Sequence, residues 1–200
     1  MSVIRSEIPV NRWLQQTPSV DEVRPAMCVV CGAAARSAGG LLGLHGHGFR
    51  YRQLRGPAVP GQAPRVVVVP ARRYVCQHCP AVLIVVPCEV EPRRHYAATA
   101  IAFALALYGA LGQSHAEVRR AVSDAKFVCV EAEHRWCTLS RWVDAAGTDA
   151  LWPALPPLPI ESGRRAVAKR AAMAIGAHAP PSLSEGAPAV RAFVGAMHMA

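Results

Sequence analysis

Cys28-Val29-Val30-Cys31 and Cys76-Gln77-His78-Cys79 decide how this chain is read. Each pair sets two soft sulfur ligands either side of a two-residue turn, so both thiolates can face one point, and two such pairs supply the four ligands of a tetrahedral Zn²⁺. Gly32, directly after the first pair, relieves crowding in that turn. Cys28, Cys31, Cys76 and Cys79 are therefore the expected ligands of one structural Zn²⁺. Residues 32–75 separate the pairs, more than a compact zinc finger uses, so the metal is expected to clamp the two ends of an inserted loop or hairpin.

Other uses of paired cysteines fit less well. A redox CxxC opens a helix in a βαβ pattern, whereas Cys76 has strand-like sequence on both sides. Disulfides suit a secreted chain, but the opening MSVIRSEIPVNRW has no apolar core of signal-peptide length, and seven cysteines is an odd number. A reducing cytoplasm is the expected location. The longest apolar run, Ala97 to Gly112, is shorter than the roughly 20 residues that cross a bilayer, so a buried helix is expected and no membrane partner.

Charge is unevenly spread. The net +9 comes from 20 Arg and 2 Lys against 13 acids, and no acidic residue lies between Glu22 and Glu89, a stretch holding eight arginines. A basic block around a metal site is the footprint of a phosphate-binding surface. Within it, GFRYRQLR (48–55) alternates; as a strand it sets Phe49, Tyr51 and Gln53 on one face and Arg50, Arg52 and Leu54 on the other. Val66–Val69 and Ala81–Val86 read as further strands, and Arg72-Arg73-Tyr74-Val75 runs into the second cysteine pair. Arg50, Arg52, Arg72 and Arg73 are the candidate phosphate contacts.

Pro87 and Pro92 end the sheet, and helical sequence follows from about Arg94. The stretch 95–111 is apolar on almost every side and is expected to be a central helix. Ser114 and Glu117 form a capping box for a short second helix, and a third runs from about Trp136 to Ala145 before Gly147. Trp136, Leu139 and Val143 face inward on that helix, which leaves Arg135, Thr138 and Arg141 outward as candidate base-reading residues of a helix-turn-helix. Against this, charge over residues 95–147 sums to zero, as a helical packing unit with no DNA contact would also have.

The expected class is α+β: a small zinc-ribbon β module, then a helical helix-turn-helix unit and a Pro/Ala-rich C-terminal tail. Residues 1–26 are a loosely docked arm, 27–92 the ribbon-like module, 93–147 the helix-turn-helix unit, and 148–200 a proline-rich linker with two short helices near 163–175 and 187–198. His45 and His47 are alternative metal ligands, or simply a turn with Gly46 and Gly48. Cys88, Cys129 and Cys137 are expected to be small buried residues. A Cys137–His134 nucleophilic pair lacks a third orienting group, so no enzyme is expected.

The order CxxCG, LHGHGFRYR, a valine-rich strand, RRYVCQHC and Pro92-Arg93-Arg94-His95-Tyr96 before an apolar helix resembles the N-terminal zinc-ribbon and helix-turn-helix regions of bacterial insertion-sequence transposases, and a related group of stand-alone bacterial proteins. The likeness covers about residues 24–146. It implies zinc at Cys28, Cys31, Cys76 and Cys79, and DNA contacts from Arg135 through Arg141. The sequence departs from the transposases in having too few residues after the helical unit for a nuclease domain with its metal-binding acids. The expected protein binds DNA, as a transposase-related or regulatory chain, without cutting it. The alternative is a zinc-stabilised protein–protein interaction module, and either leaves room for a protein partner or a homo-oligomer.

Overall fold

The computed structural model describes residues 1–124, 135–148, 151–152, 155 and 163–199, and these form two compact units of mixed strand and helix. The first unit comprises Met1–Leu54 and Val67–His95; the second comprises Arg55–Val66 and Tyr96–Met199.

The first unit is built on a four-stranded sheet of order β1-β4-β3-β2, with β1 Ser2–Arg5, β2 Leu44–Gly56, β3 Arg65–Cys76 and β4 Val82–Val86. β3 and β4 pair antiparallel, with Arg72 opposite Val85 and Val75 opposite Val82. The sequence VLIVV of β4 shows no polar alternation because β4 is an inner strand, and Leu83, Ile84, Val85 and Val86 are all buried.

Residues 1–26 are not a loose arm. β1 pairs in parallel with β4, Ser2 opposite Leu83 and Arg5 opposite Val86, and α1 (Val10–Gln15) follows. Trp13 on α1 is fully buried and its indole N–H donates to the Pro70 carbonyl at 3.0 Å. Two acids anchor the same segment: Glu89 accepts from the Val10 N–H at 2.8 Å, and Glu91 pairs with Arg5 at 3.1 Å. The prolines that break helix periodicity here say nothing about pairing with a strand some 80 positions later, so the local signal could not reveal the docking.

The second unit packs around α2 (Ala98–Gly109), whose residues from Ala98 to Tyr108 are all buried, as its all-round apolar sequence demands. α3 (His115–Val122) begins at the expected capping box: Ser114 accepts from the Glu117 N–H while Glu117 accepts from the Ser114 N–H at 2.7 Å. α4 (Cys137–Gly147) buries Leu139, Trp142 and Val143, with Trp136 buried just before it. Tyr96, Trp136 and Trp142 meet edge to face, with centroids 4.9–6.0 Å apart.

The C-terminal segment belongs to this core rather than trailing from it. α5 (Gly163–Gly176) and α6 (Pro188–Gly195) both pack on α2, and Leu151, Trp152, Leu155, Ile175 and Phe193 join the same apolar cluster. Close approach depends on glycine. A Cβ at Gly109 would collide with the backbone of Ala168 and Lys169 on α5, and one at Gly195 with the Ile175 carbonyl. Among the described residues no helix is long and apolar enough to cross a membrane.

Candidate metal centre

The four cysteine sulfurs converge. Cys28 Sγ lies 3.7 Å from Cys79 Sγ, Cys31 Sγ lies 3.7 Å from Cys76 Sγ, and all four fall within 4.8 Å of one another. Sulfurs arranged tetrahedrally at a metal–sulfur bond of about 2.3 Å stand about 3.8 Å apart, so the cage has the right size for one ion. Cys28 and Cys76 are buried, Cys79 half-buried and Cys31 exposed, which puts the cage at the edge of its unit.

Each pair sits on a tight turn closed by backbone hydrogen bonds. In the first, the Gly32 N–H donates to the Cys28 carbonyl and the Cys28 N–H to the Ala33 carbonyl, both at 2.8 Å. Gly32 has φ +73°, the left-handed conformation that favours glycine, with nothing within 4 Å of a Cβ placed there. In the second, the Cys76 N–H donates to the Ala81 carbonyl at 3.0 Å and the His78 N–H to Cys76 Sγ at 3.4 Å.

Gly43 joins the two turns. Its N–H donates to the Ala35 carbonyl at 2.8 Å, just beyond the first turn, and its carbonyl accepts from the Gln77 N–H at 2.9 Å, inside the second. The residues between the pairs therefore leave the first turn, touch the second through Gly43, and then run out along β2 and back along β3 to Cys76. Sequence reading singled out neither Gly43 nor this link, because a lone glycine before a strand carries no mark of what it will touch.

Electrostatics favour a cation among the sulfurs. The N–H groups of Cys31 and Val30 point at Cys28 and lower its thiol pKa to about 7. At Cys79 the Ala81 N–H pulls the same way, but burial and the thiols of Cys31, Cys28 and Cys76 outweigh it and push the pKa up to about 12. Four thiolates cannot form side by side in one cage unless positive charge is supplied there. The donor set and the spacing both fit a bound metal ion.

The other expected site residues are placed as follows. His45 takes no part in the cage: its Nε2 lies 3.0 Å from the Leu42 carbonyl, and His45, His47 and His78 are exposed. Cys88 is buried beside Glu89, whereas Cys137 is exposed, a correction to its expected burial; Cys129 and His134 lie outside the described residues.

Arg50 is exposed and reaches Met1 Sδ at 3.0 Å, and Arg52 is half-buried with a bond of 3.3 Å to the Arg94 carbonyl. Arg72 is partly committed to the fold, because its Nε donates to the Pro18 carbonyl at 2.7 Å and its guanidinium lies 4.1 Å from the centre of the Phe49 ring. Arg73 is half-buried on β3, opposite Ile84 of β4.

Arg135 lies two residues before α4 and is exposed; on α4 itself Arg141 is exposed and Thr138 half-buried. The connection that a helix-turn-helix reading depends on falls outside the described residues. That motif runs from the end of one helix through a turn of 3–4 residues into the next. Between α3 and α4, residues 125–134 lie outside the described set; the Trp136 N–H donates to His115 Nδ1 at 3.0 Å, so the start of α3 lies against the start of α4.

No protein-family model matches the chain, and no curated protein or solved structure matches it either.

Proposed function

We propose that Cys28, Cys31, Cys76 and Cys79 hold one structural Zn²⁺ and that the unit so clamped is a zinc-ribbon module that binds DNA without cutting it. All-sulfur tetrahedral sites with no open position are structural rather than catalytic, and zinc is the common ion for such a cage. The observation that carries the DNA reading is electrostatic. The chain from residue 23 to residue 88 holds eight arginines and no acid, and it contains the whole cage together with β2 and β3. Polyanion binding is favoured by so basic a segment, though Arg24 and Arg36 are committed to Asp21 at 2.9 and 3.0 Å. Arg50 and Arg73 are the leading phosphate contacts, with Arg52 beside them; Arg72 contributes only through what its bond to Pro18 leaves free. Arg135, just before α4, and Thr138 and Arg141 on it form a second candidate surface, to be tested separately because it belongs to the other unit.

Titration of the zinc-loaded chain with duplex DNA at several salt concentrations tests this. Affinity should fall steeply with salt, and the Arg50→Ala/Arg73→Ala double variant should reduce the slope by about one unit per lost contact on any sequence. A specific-to-random affinity ratio that drops for Arg141→Ala would assign base reading to α4; an unchanged ratio in a folded protein removes α4 from the interface.

A protein-interaction module is the second reading. Met27, Val29, Val30 and Leu41, around the first cysteine turn, are each more than half exposed. Binding that barely responds to salt would favour it over DNA.

A further inference from the structure

Phe49 and Tyr51 stand two residues apart on β2 and so project from one face of the sheet. Their ring centroids lie 6.4 Å apart with planes inclined by 33°. Tyr51 is 69% exposed and Phe49 38%. The Arg72 guanidinium from β3 covers the Phe49 ring at 4.1 Å from its centre and is held there by the Pro18 carbonyl. β2 is an edge strand, so nothing in the sheet lies beyond it, and Val68 on β3 is also exposed.

This surface combines two properties. It is aromatic, which the core of the unit does not require, and it lies in a stretch with no acidic residue to repel a polyanion. Bases in a duplex stack about 3.4 Å apart and hide their faces from side chains. Two platforms 6.4 Å apart instead suit bases already separated from one another. Aromatic rings and guanidinium planes on a sheet face are how proteins hold unpaired strands, because every base has a face to stack.

We propose that this face binds single-stranded DNA, one base stacking on Tyr51 and its neighbour on the Arg72–Phe49 pair, whose guanidinium supplies positive charge on the same face. Resting on the DNA-binding reading above, this narrows the ligand from DNA at large to its unpaired strand. Sequence preference is then weak, since stacking accepts any base.

The test is fluorescence anisotropy of the zinc-loaded full chain with a labelled oligothymidylate and with a duplex of the same length, at matched salt. The oligothymidylate should bind more tightly. Tyr51→Ala should weaken its binding by about 5- to 150-fold, the loss of one stacked base, and change duplex binding by no more than about twofold. Tyr51→Phe should keep wild-type affinity to within about twofold, because the ring and not the hydroxyl does the stacking. Tyr51 is mostly exposed, so both variants should fold, and zinc content with thermal unfolding checks that they do. Unchanged affinity of Tyr51→Ala for oligothymidylate overturns the proposal, as does equal loss on strand and duplex, or a loss of self-association with DNA affinity intact. Salt-dependent binding that favours duplex leaves the DNA reading standing and removes the single-strand one. Absence of binding to either at low salt removes both.

Discussion

Replacing Gly43 by alanine tests whether one backbone link positions the metal cage. A Cβ there would fall well inside the 3.0 Å that real Cβ atoms keep, against the Ala34 carbonyl oxygen, with the Ala34 carbonyl carbon at 3.5 Å and the Ala35 oxygen at 3.7 Å. The obstacle is backbone on the chain leaving the first cysteine turn and cannot swing aside as a side-chain tip could. Relief requires roughly an ångström of separation, a displacement that a close-packed interior resists at about 1–3 kcal/mol. The same shift stretches the bonds from the Gly43 N–H to Ala35 and from the Gln77 N–H to Gly43, each contributing about 0.5–1.5 kcal/mol. The total is about 2–6 kcal/mol. If folding of this unit and metal binding are linked, that becomes a roughly 30- to 25,000-fold loss of apparent zinc affinity. Competition against a chromophoric chelator, together with thermal unfolding of the zinc-loaded protein, reads both quantities. Gly32→Ala is the control: its positive φ carries a penalty of about 1–2 kcal/mol, but open space surrounds the new methyl group, so the smaller loss is expected there. A Gly43→Ala protein with wild-type stability and zinc retention would refute the idea that Gly43 sets one turn against the other.

Cys76→Ser should lower bound zinc below the wild-type value of about one ion per chain and destabilise the first unit, with elemental analysis and thermal melts as the readouts. Trp13→Ala should cost about 3–5 kcal/mol in denaturant unfolding, because the indole is fully buried and its loss also leaves the Pro70 carbonyl without its donor; an unaffected protein would return residues 1–26 to the status of an arm. Burial raises the Glu91 carboxyl pKa from 4.5 to about 6, against the pull of Arg5 and Arg94. The folded state then holds a proton that the unfolded state releases first, so this group's contribution to stability declines as pH rises from about 4.5 to about 6, by about 2 kcal/mol in total. Glu91→Gln should flatten that part of the profile relative to wild type, and superimposable profiles would show that Glu91 is not the group responsible.

What the sequence by itself determined was whatever depends on neighbours along the chain. The two CxxC turns, the capping box at Ser114 and Glu117, an all-round apolar helix expected over 95–111 and found at Ala98–Gly109, and the inward set Trp136, Leu139 and Val143 all follow from spacing, period and residue type. Tertiary structure decided whatever depends on chain segments meeting across long separations. Met1–Leu54 joined the sheet unit because β1 found the open edge of β4, Trp13 found the Pro70 carbonyl, and Glu89 found the Val10 N–H. The alanine-rich C-terminal helices became core because Gly109 and Gly195 let their backbones come close, a demand visible only once the partner backbone is in place. The metal cage needed both kinds of information. Local sequence makes each half, since two residues between cysteines suffice to aim both sulfurs at one point. Bonds such as those through Gly43, which join residues far apart in the chain, hold the halves where sulfurs stand 3.7 Å apart, because no short-range preference can specify which distant carbonyl an N–H will meet.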